Sequence, residues 1–183
     1  MQPKSVYLHI PFCEQMCHYC DFATYTVKGQ PVDEYLDALE TEMQLALDRS
    51  PAVEVETIFV GGGTPTILTT KQLERFLSAV ARHFPRRAAN LEFTMEANPG
   101  TVDREKLAVM REGGVNRLSF GAQSFDNRLL QSIGRDHDAS SVLHSIDTAR
   151  EAGFDNLSLD LMFGLPGQTV HMMNDTLDVA LDL

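Results

Sequence analysis

The chain is poor in cysteine and in positive charge, and it has no long apolar run. Only three of its 183 residues are cysteine. An odd count leaves one thiol over in any pairing, which excludes a disulfide framework. Lysine and arginine number 15 against 26 aspartates and glutamates, for a net charge of −11. The acids are scattered, and no basic patch offers itself to the phosphates of a nucleic acid. The same balance weighs against anionic membrane surfaces. No stretch approaches the ~20 apolar residues needed to span a bilayer. Internal repeats and low-complexity segments are absent from the sequence. What remains, 43% hydrophobic residues, is ordinary for a globular domain with one sizeable core. No signal peptide precedes the cysteines, so we expect a cytoplasmic protein in a compartment where free thiols persist.

The three cysteines are concentrated. Cys13, Cys17 and Cys20 form a C-x3-C-x2-C pattern within eight residues. Three neighbouring thiolates can ligate three irons of one cubane cluster and leave the fourth iron open to a small chelating molecule. Pro11, Phe12, Met16 and Tyr19 are placed to shield such a cluster from water. The competing reading is zinc, which takes four ligands, with His9 or His18 completing a Cys3His set.

Short apolar segments alternate with amphipathic ones along the chain. Candidate strands are Ser5–Ile10, Thr57–Val60, Leu91–Ala97, Arg117–Phe120 and Asn156–Leu161. Helical periodicity covers Asp33–Arg49, with Leu36, Leu39, Met43 and Leu47 on one face, and Gln72–Phe84, with Leu73, Phe76, Leu77, Val80 and Phe84. Thr69 and Gln72 form a capping box, and Pro85 closes that helix. Two further helices span Asp103–Arg111 and Ser140–Ala152, stopping at Gly113-Gly114 and Gly153. Strand–helix alternation of this kind means βαβ units and a parallel sheet. The strands also have parity. Leu91, Phe93 and Met95 oppose Glu92, Thr94 and Glu96; Leu157, Leu159 and Leu161 oppose Ser158 and Asp160; Val6, Leu8 and Ile10 oppose Tyr7 and His9. One face is repeatedly polar, as in a curved sheet whose concave side holds a polar ligand, or in an open sheet with one wet face.

The segment Tyr7-Leu8-His9-Ile10-Pro11-Phe12-Cys13 through Cys20-Asp21-Phe22 resembles the opening of radical S-adenosylmethionine (SAM) proteins. The likeness continues through Gly61-Gly62-Gly63-Thr64-Pro65-Thr66, Glu96-Ala97-Asn98-Pro99-Gly100, Gly121-Ala122-Gln123-Ser124-Phe125, Gly134-Arg135 and the segment from Asp160 to Pro166. Within that family it resembles the branch of oxygen-independent coproporphyrinogen III oxidases and heme chaperones of the HemW type. Asp21-Phe22 stand where the oxidases carry a further cysteine, and with the short segment before Cys13 and the Glu96–Gly100 motif they match the chaperone side.

The resemblance implies a fold, two cofactors and a site. The fold is α/β, a partial (βα) barrel with about five of six βα units present: a curved parallel sheet with helices outside. Residues 1–183 would be a radical SAM core domain cut short at its C-terminal end, without the family's C-terminal domain. The fifth strand would then leave an unpaired edge, prone to association through Leu157–Leu161. A 4Fe–4S cluster would sit on Cys13, Cys17 and Cys20. SAM would chelate its open iron, and one electron passed to the sulfonium would break the C5′–S bond. Tyr7, Gly62 and Glu96 belong to a first SAM pocket. Tyr19, Gly63, Thr64, Gln123, Arg135 and Asp160 belong to a second in the oxidase branch. No catalytic residue is assigned.

Plainer roles stand beside these. The glycine run can be a simple turn before Pro65, Glu96 a core carboxylate paired with an arginine, and Arg135–Asp160 a mutual salt bridge. His9 is expected as a donor near the cluster, and His83, His144 and His171 on solvated helices. The function implied is heme transfer to a recipient protein, with a flavodoxin or ferredoxin as electron donor and membrane contact only through the recipient. The alternatives are oxidative decarboxylation of coproporphyrinogen III and a zinc-bound scaffold. Heme would be a ligand of the whole protein.

Overall fold

The computed structural model describes residues 3–52 and 54–183. Its five main strands are β1 (Ser5–Ile10), β4 (Val55–Gly62), β5 (Arg87–Ala97), β6 (Arg117–Gln123) and β7 (Leu157–Leu161). All pairings between them are parallel, in the spatial order β1-β4-β5-β6-β7. Two short strands, β2 (Phe12–Cys13) and β3 (Tyr25–Thr26), pair separately around the cysteine loop.

Each new strand is laid beside the last, with no reversal of order. Right-handed crossovers in such a series place every connecting helix on the same face. The helices comply. α1 (Val32–Arg49) packs on α2 (Thr70–His83), α2 on α3 (Arg104–Glu112), and α3 on α5 (Ala139–Glu151). This singly wound sheet is not a doubly wound fold; no closed barrel forms among the described strands, and β1 and β7 are its edges. α4 (Asn127–Ser132) and α6 (Val170–Leu181) complete the element list.

The core lies between sheet and helices, as alternation requires. Leu8, Ile10, Ile58, Val60, Phe93, Met95, Leu118 and Phe120 face Leu36, Leu39, Met43, Leu73, Phe76, Leu77, Val80, Leu107, Met110, Val142 and Ile146, all buried. Leu47 is half-buried at the end of its stripe. The capping box at Thr69 forms in both directions. The opposite sheet face is polar but not uniformly wet. Thr94 is fully buried there, accepting from Arg117 at 3.2 Å and donating to Glu92 at 3.2 Å. The base of this face is plugged by polar side chains, and its upper end stays open. His144 and His171 are exposed as expected, but the His83 ring is largely covered and lies 3.4 Å from Glu40. That contact between α1 and α2 is what removes it from solvent. No helix among the described residues is long and apolar enough to cross a membrane.

Candidate functional site

The open end lies at the carboxyl ends of the strands, where loops carry ligands in parallel α/β sheets. A cavity of about 300 Å³ sits there, within the range of small-molecule sites. Cys13, Cys17, Cys20, Tyr19, Gly62, Gly63, Thr64, Glu96, Gln123, Arg135 and Asp160 all line it. Residues far apart in sequence thus meet in one place, since parallel strands bring successive C-terminal ends together. Tyr7 is the predicted site residue that the cavity does not take in. It stacks on Phe59 with 6.1 Å between ring centroids and is more than half exposed.

The three cysteines are half-buried free thiols, Cys13 at the end of β2 and Cys17 and Cys20 on the loop from β2 to β3. The loop is held from both sides. Val27 N–H donates to Cys13 O at 2.8 Å and Tyr25 N–H to Pro11 O at 2.7 Å. On the far side His18 N–H donates to Ile133 O at 3.0 Å and its ring Nδ1 to Ser132 O at 3.2 Å, while Gln15 Nε2 donates to Gly134 O at 2.9 Å. Burial pushes the Cys13 thiol upward, partly offset by Thr64 Oγ1, 3.8 Å from its sulfur. Burial also raises the Tyr19 phenol, to about 12, against the opposing charge of Arg135.

His9 is not available to the cluster site. Its Nδ1 accepts from Tyr7 Oη at 3.0 Å, and its Nε2 donates to Ala23 O at 3.0 Å. With both ring nitrogens engaged, the expectation of a donor to cluster sulfur or a zinc ligand fails. Among the described residues no three His, Cys, Asp or Glu side chains converge as a single metal ion requires. A cubane asks something different, one thiolate for each of three corners.

The glycine turn explains itself by contact. Gly62 has φ +114°, and a Cβ there would run into the His9 ring. A Cβ on Gly63 would stand 2.6 Å from Phe12 O and 3.0 Å from Cys13 Sγ. The turn therefore presses against the cysteine loop, which a bare turn before Pro65 would not need to do. Gly62 N–H donates to Glu96 Oε2 at 3.0 Å. Burial raises the Glu96 carboxyl above its ordinary value; the Gly62 N–H opposes this, and the nearby Asp160 charge adds to it. No arginine pairs with Glu96 among the described residues. Arg135 and Asp160 do not pair either. Asp160 accepts from Ser119 Oγ at 3.3 Å, while Arg135 turns to Asn98, Gly121 O and the cysteine loop.

Gln123 holds the one positive φ outside glycine among the described residues, +64°. The β6–β7 register slips between Phe120 and Gln123. Such a bulge re-aims a side chain next to a site, and the strain in a left-handed Gln is the kind that functional positions tolerate. Asn98, Ser119, Asp136 and Met162 also line the cavity, unforeseen from sequence. The signal for Asn98 was its place two residues after Glu96 in the same motif.

One cavity thus gathers three thiols, two carboxylates and an arginine. The model of the radical SAM superfamily matches residues 7–180. The chain is 50% identical over 180 residues to the heme chaperone HemW of Bacillus subtilis strain 168, covering 98% of this chain and 48% of that protein. It is 39% identical over 184 residues to the heme chaperone HemW of Escherichia coli strain K12, covering 100% and 48%. Among solved structures, the coproporphyrinogen III oxidase HemN of Escherichia coli, described as a radical SAM enzyme, superposes with a TM-score of 0.89 at 33% identity, over 99% of this chain and 42% of that one. The chain thus spans about half the length of the curated relatives it matches. Fold, site and matches agree, and the chain belongs to the radical SAM superfamily.

Proposed function

We propose that Cys13, Cys17 and Cys20 hold one 4Fe–4S cluster, that SAM binds beside it, and that the whole protein is a heme chaperone passing heme to a recipient protein. The observation that carries the cofactor reading is the meeting of all three thiols with Glu96, Gln123, Arg135 and Asp160 around one cavity. The donor set fits both groups. Thiolates are the ligands of such clusters. Two carboxylates line the cavity and would suit the charge of an ammonium or a sulfonium, and Arg135 Nε is buried with no hydrogen-bond partner among the described residues. When bound, the reduced cluster supplies one electron to the sulfonium of SAM.

The chain's own residues do the rest. Gly62 and Gly63 let the backbone approach the cysteine loop closely. Glu96, held by Gly62 N–H, would supply a carboxylate to the ligand's ammonium or ribose hydroxyls. Tyr19, Met16 and Phe22 line the cavity beside the cysteines. The thiols need a reducing compartment, which supports the cytoplasm. Any electron donor, a flavodoxin or ferredoxin, must reach the exposed side of the loop. Contact with a membrane would come through the recipient.

The chaperone reading rests on the HemW relatives and on Asp21-Phe22 after the last cysteine. A specific observation favours the second reading, radical decarboxylation of coproporphyrinogen III: Gln123, Arg135 and Asp160 share the cavity of a chain that superposes on HemN. The test is to give the full-length reduced protein SAM with coproporphyrinogen III, and separately heme. A stable heme complex without turnover supports the chaperone. Turnover to protoporphyrinogen without a heme complex reverses the choice.

A further inference from the structure

Arg135 reaches from the sheet to the cysteine loop. Its Nη1 lies 3.5 Å from Cys17 Sγ and 3.5 Å from Tyr19 Oη. Its Nη2 donates to Gly121 O at 2.6 Å and to Asn98 Oδ1. Asn98 is buried, and its Nδ2 donates to Asp136 Oδ1 at 3.0 Å. The amide can face only this way. A guanidinium has no acceptor and a carboxylate no donor, so the oxygen must meet Arg135 and the nitrogen Asp136. Asn98 follows the end of β5 and Gly121 lies in β6, two neighbouring strands of the sheet. They grip one nitrogen of the fork and leave the other toward the thiol. A long, flexible arginine is thereby fixed at its far end.

We propose that Asn98 is a positioning residue that holds the Arg135 guanidinium against the Cys17 thiolate, and that this contact sets the reduction potential of the cluster. The proposal rests on the cluster reading above. Reduction adds one negative charge to the cluster. A cation donating to a ligand sulfur favours the reduced form, since hydrogen bonds to the sulfurs are among the factors that set cluster potentials. Freed from Asn98, the guanidinium swings toward water or Asp136 and that preference is lost.

The test uses anaerobically reconstituted protein, titrated with dithionite and read by electron paramagnetic resonance. Iron and sulfide are counted in every sample. Asn98→Ala keeps its cluster, and at a fixed potential its ratio of reduced to oxidised cluster falls about tenfold, a shift of about 59 mV for one electron. Asn98→Ser, whose hydroxyl ends too short to reach Arg135, behaves the same. Arg135→Gln gives a similar fall, and adding Asn98→Ala to it gives no more, because both remove one contact. Full cluster content with an unchanged potential in both Asn98 variants overturns the proposal. So does a further full fall in the double variant, or loss of iron from both Asn98 variants, which marks a merely structural residue. Wild-type protein without acid-labile sulfide is a separate result and sinks the cluster reading itself.

Discussion

Replacing Glu96 with glutamine should move ligand binding and apoprotein stability in opposite directions. The carboxylate is held by Gly62 N–H at 3.0 Å and lies near the Asp160 charge at the open end of the sheet. The substituted amide keeps the shape and an oxygen for Gly62, but loses the negative charge. A hydrogen bond to a charged group is worth about 1.5–3 kcal/mol, so SAM affinity should fall by about tenfold to a hundredfold. Stability goes the other way. Burial raises the Glu96 carboxyl above its ordinary value, so the folded state takes up this proton more readily than the unfolded chain. Its contribution to stability is present in acid and lost as pH rises through the raised value, which makes the ionised group a burden at neutral pH. Glu96→Gln should therefore raise the apoprotein's urea midpoint at pH 7, and the gain should shrink on acidification toward the carboxylate range. Equilibrium dialysis of SAM against cluster-loaded protein, with urea titrations of the apoprotein, measures both. Unchanged SAM affinity at full cluster content would falsify the role given to Glu96. A destabilised variant at pH 7 would refute the assignment of burial as the dominant effect.

Two other outcomes follow from the same geometry. Gly62→Ala places a Cβ on the His9 ring at φ +114°; it should cost the apoprotein about 1–3 kcal/mol and weaken cluster retention, read as a lower urea midpoint and less iron per chain. His137 is buried, its Nδ1 has no hydrogen-bond partner among the described residues, and burial, then Arg135, lowers its basicity. It folds neutral, so stability should fall as pH drops below its ordinary value of about 6.5. In His137→Gln the slope of urea midpoint against pH between 7 and 5 should flatten, and an unchanged slope would assign that dependence to other groups.

Much of this architecture was legible because its constraints are local. Short apolar segments between helical patterns marked every main strand, and alternation was plain in β1, β5 and β7, which bury one face against helices. The cysteines announced themselves by spacing, and the glycine, Glu96 and Gln123 motifs by resemblance to a family; Gly62, Glu96 and Gln123 lie at the C-terminal ends of β4, β5 and β6. What escaped depends on contacts between distant segments. Asn98 reads as an ordinary polar residue until Arg135 and Asp136 are brought to it from 37 and 38 positions away. The bulge before Gln123 arises from a slip against β7, which no residue type marks. Thr94 keeps the polar parity yet is buried, and its contact with Arg117 on the next strand is not legible in either segment alone. α4 is six residues long, too short for a periodic signal, and only its Asp126 cap could have hinted at it. Tyr7 was placed at the site by resemblance and His9 by its nearness to the cysteines; that the two share a hydrogen bond shows only in the folded chain.

The central claim is that the three cysteines carry a cluster, and iron and sulfide analysis after anaerobic reconstitution tests it most directly. The account predicts a brown, oxygen-labile protein with about four irons and about four acid-labile sulfides per chain, both lost in Cys17→Ala. Stoichiometric zinc with no acid-labile sulfide would contradict it.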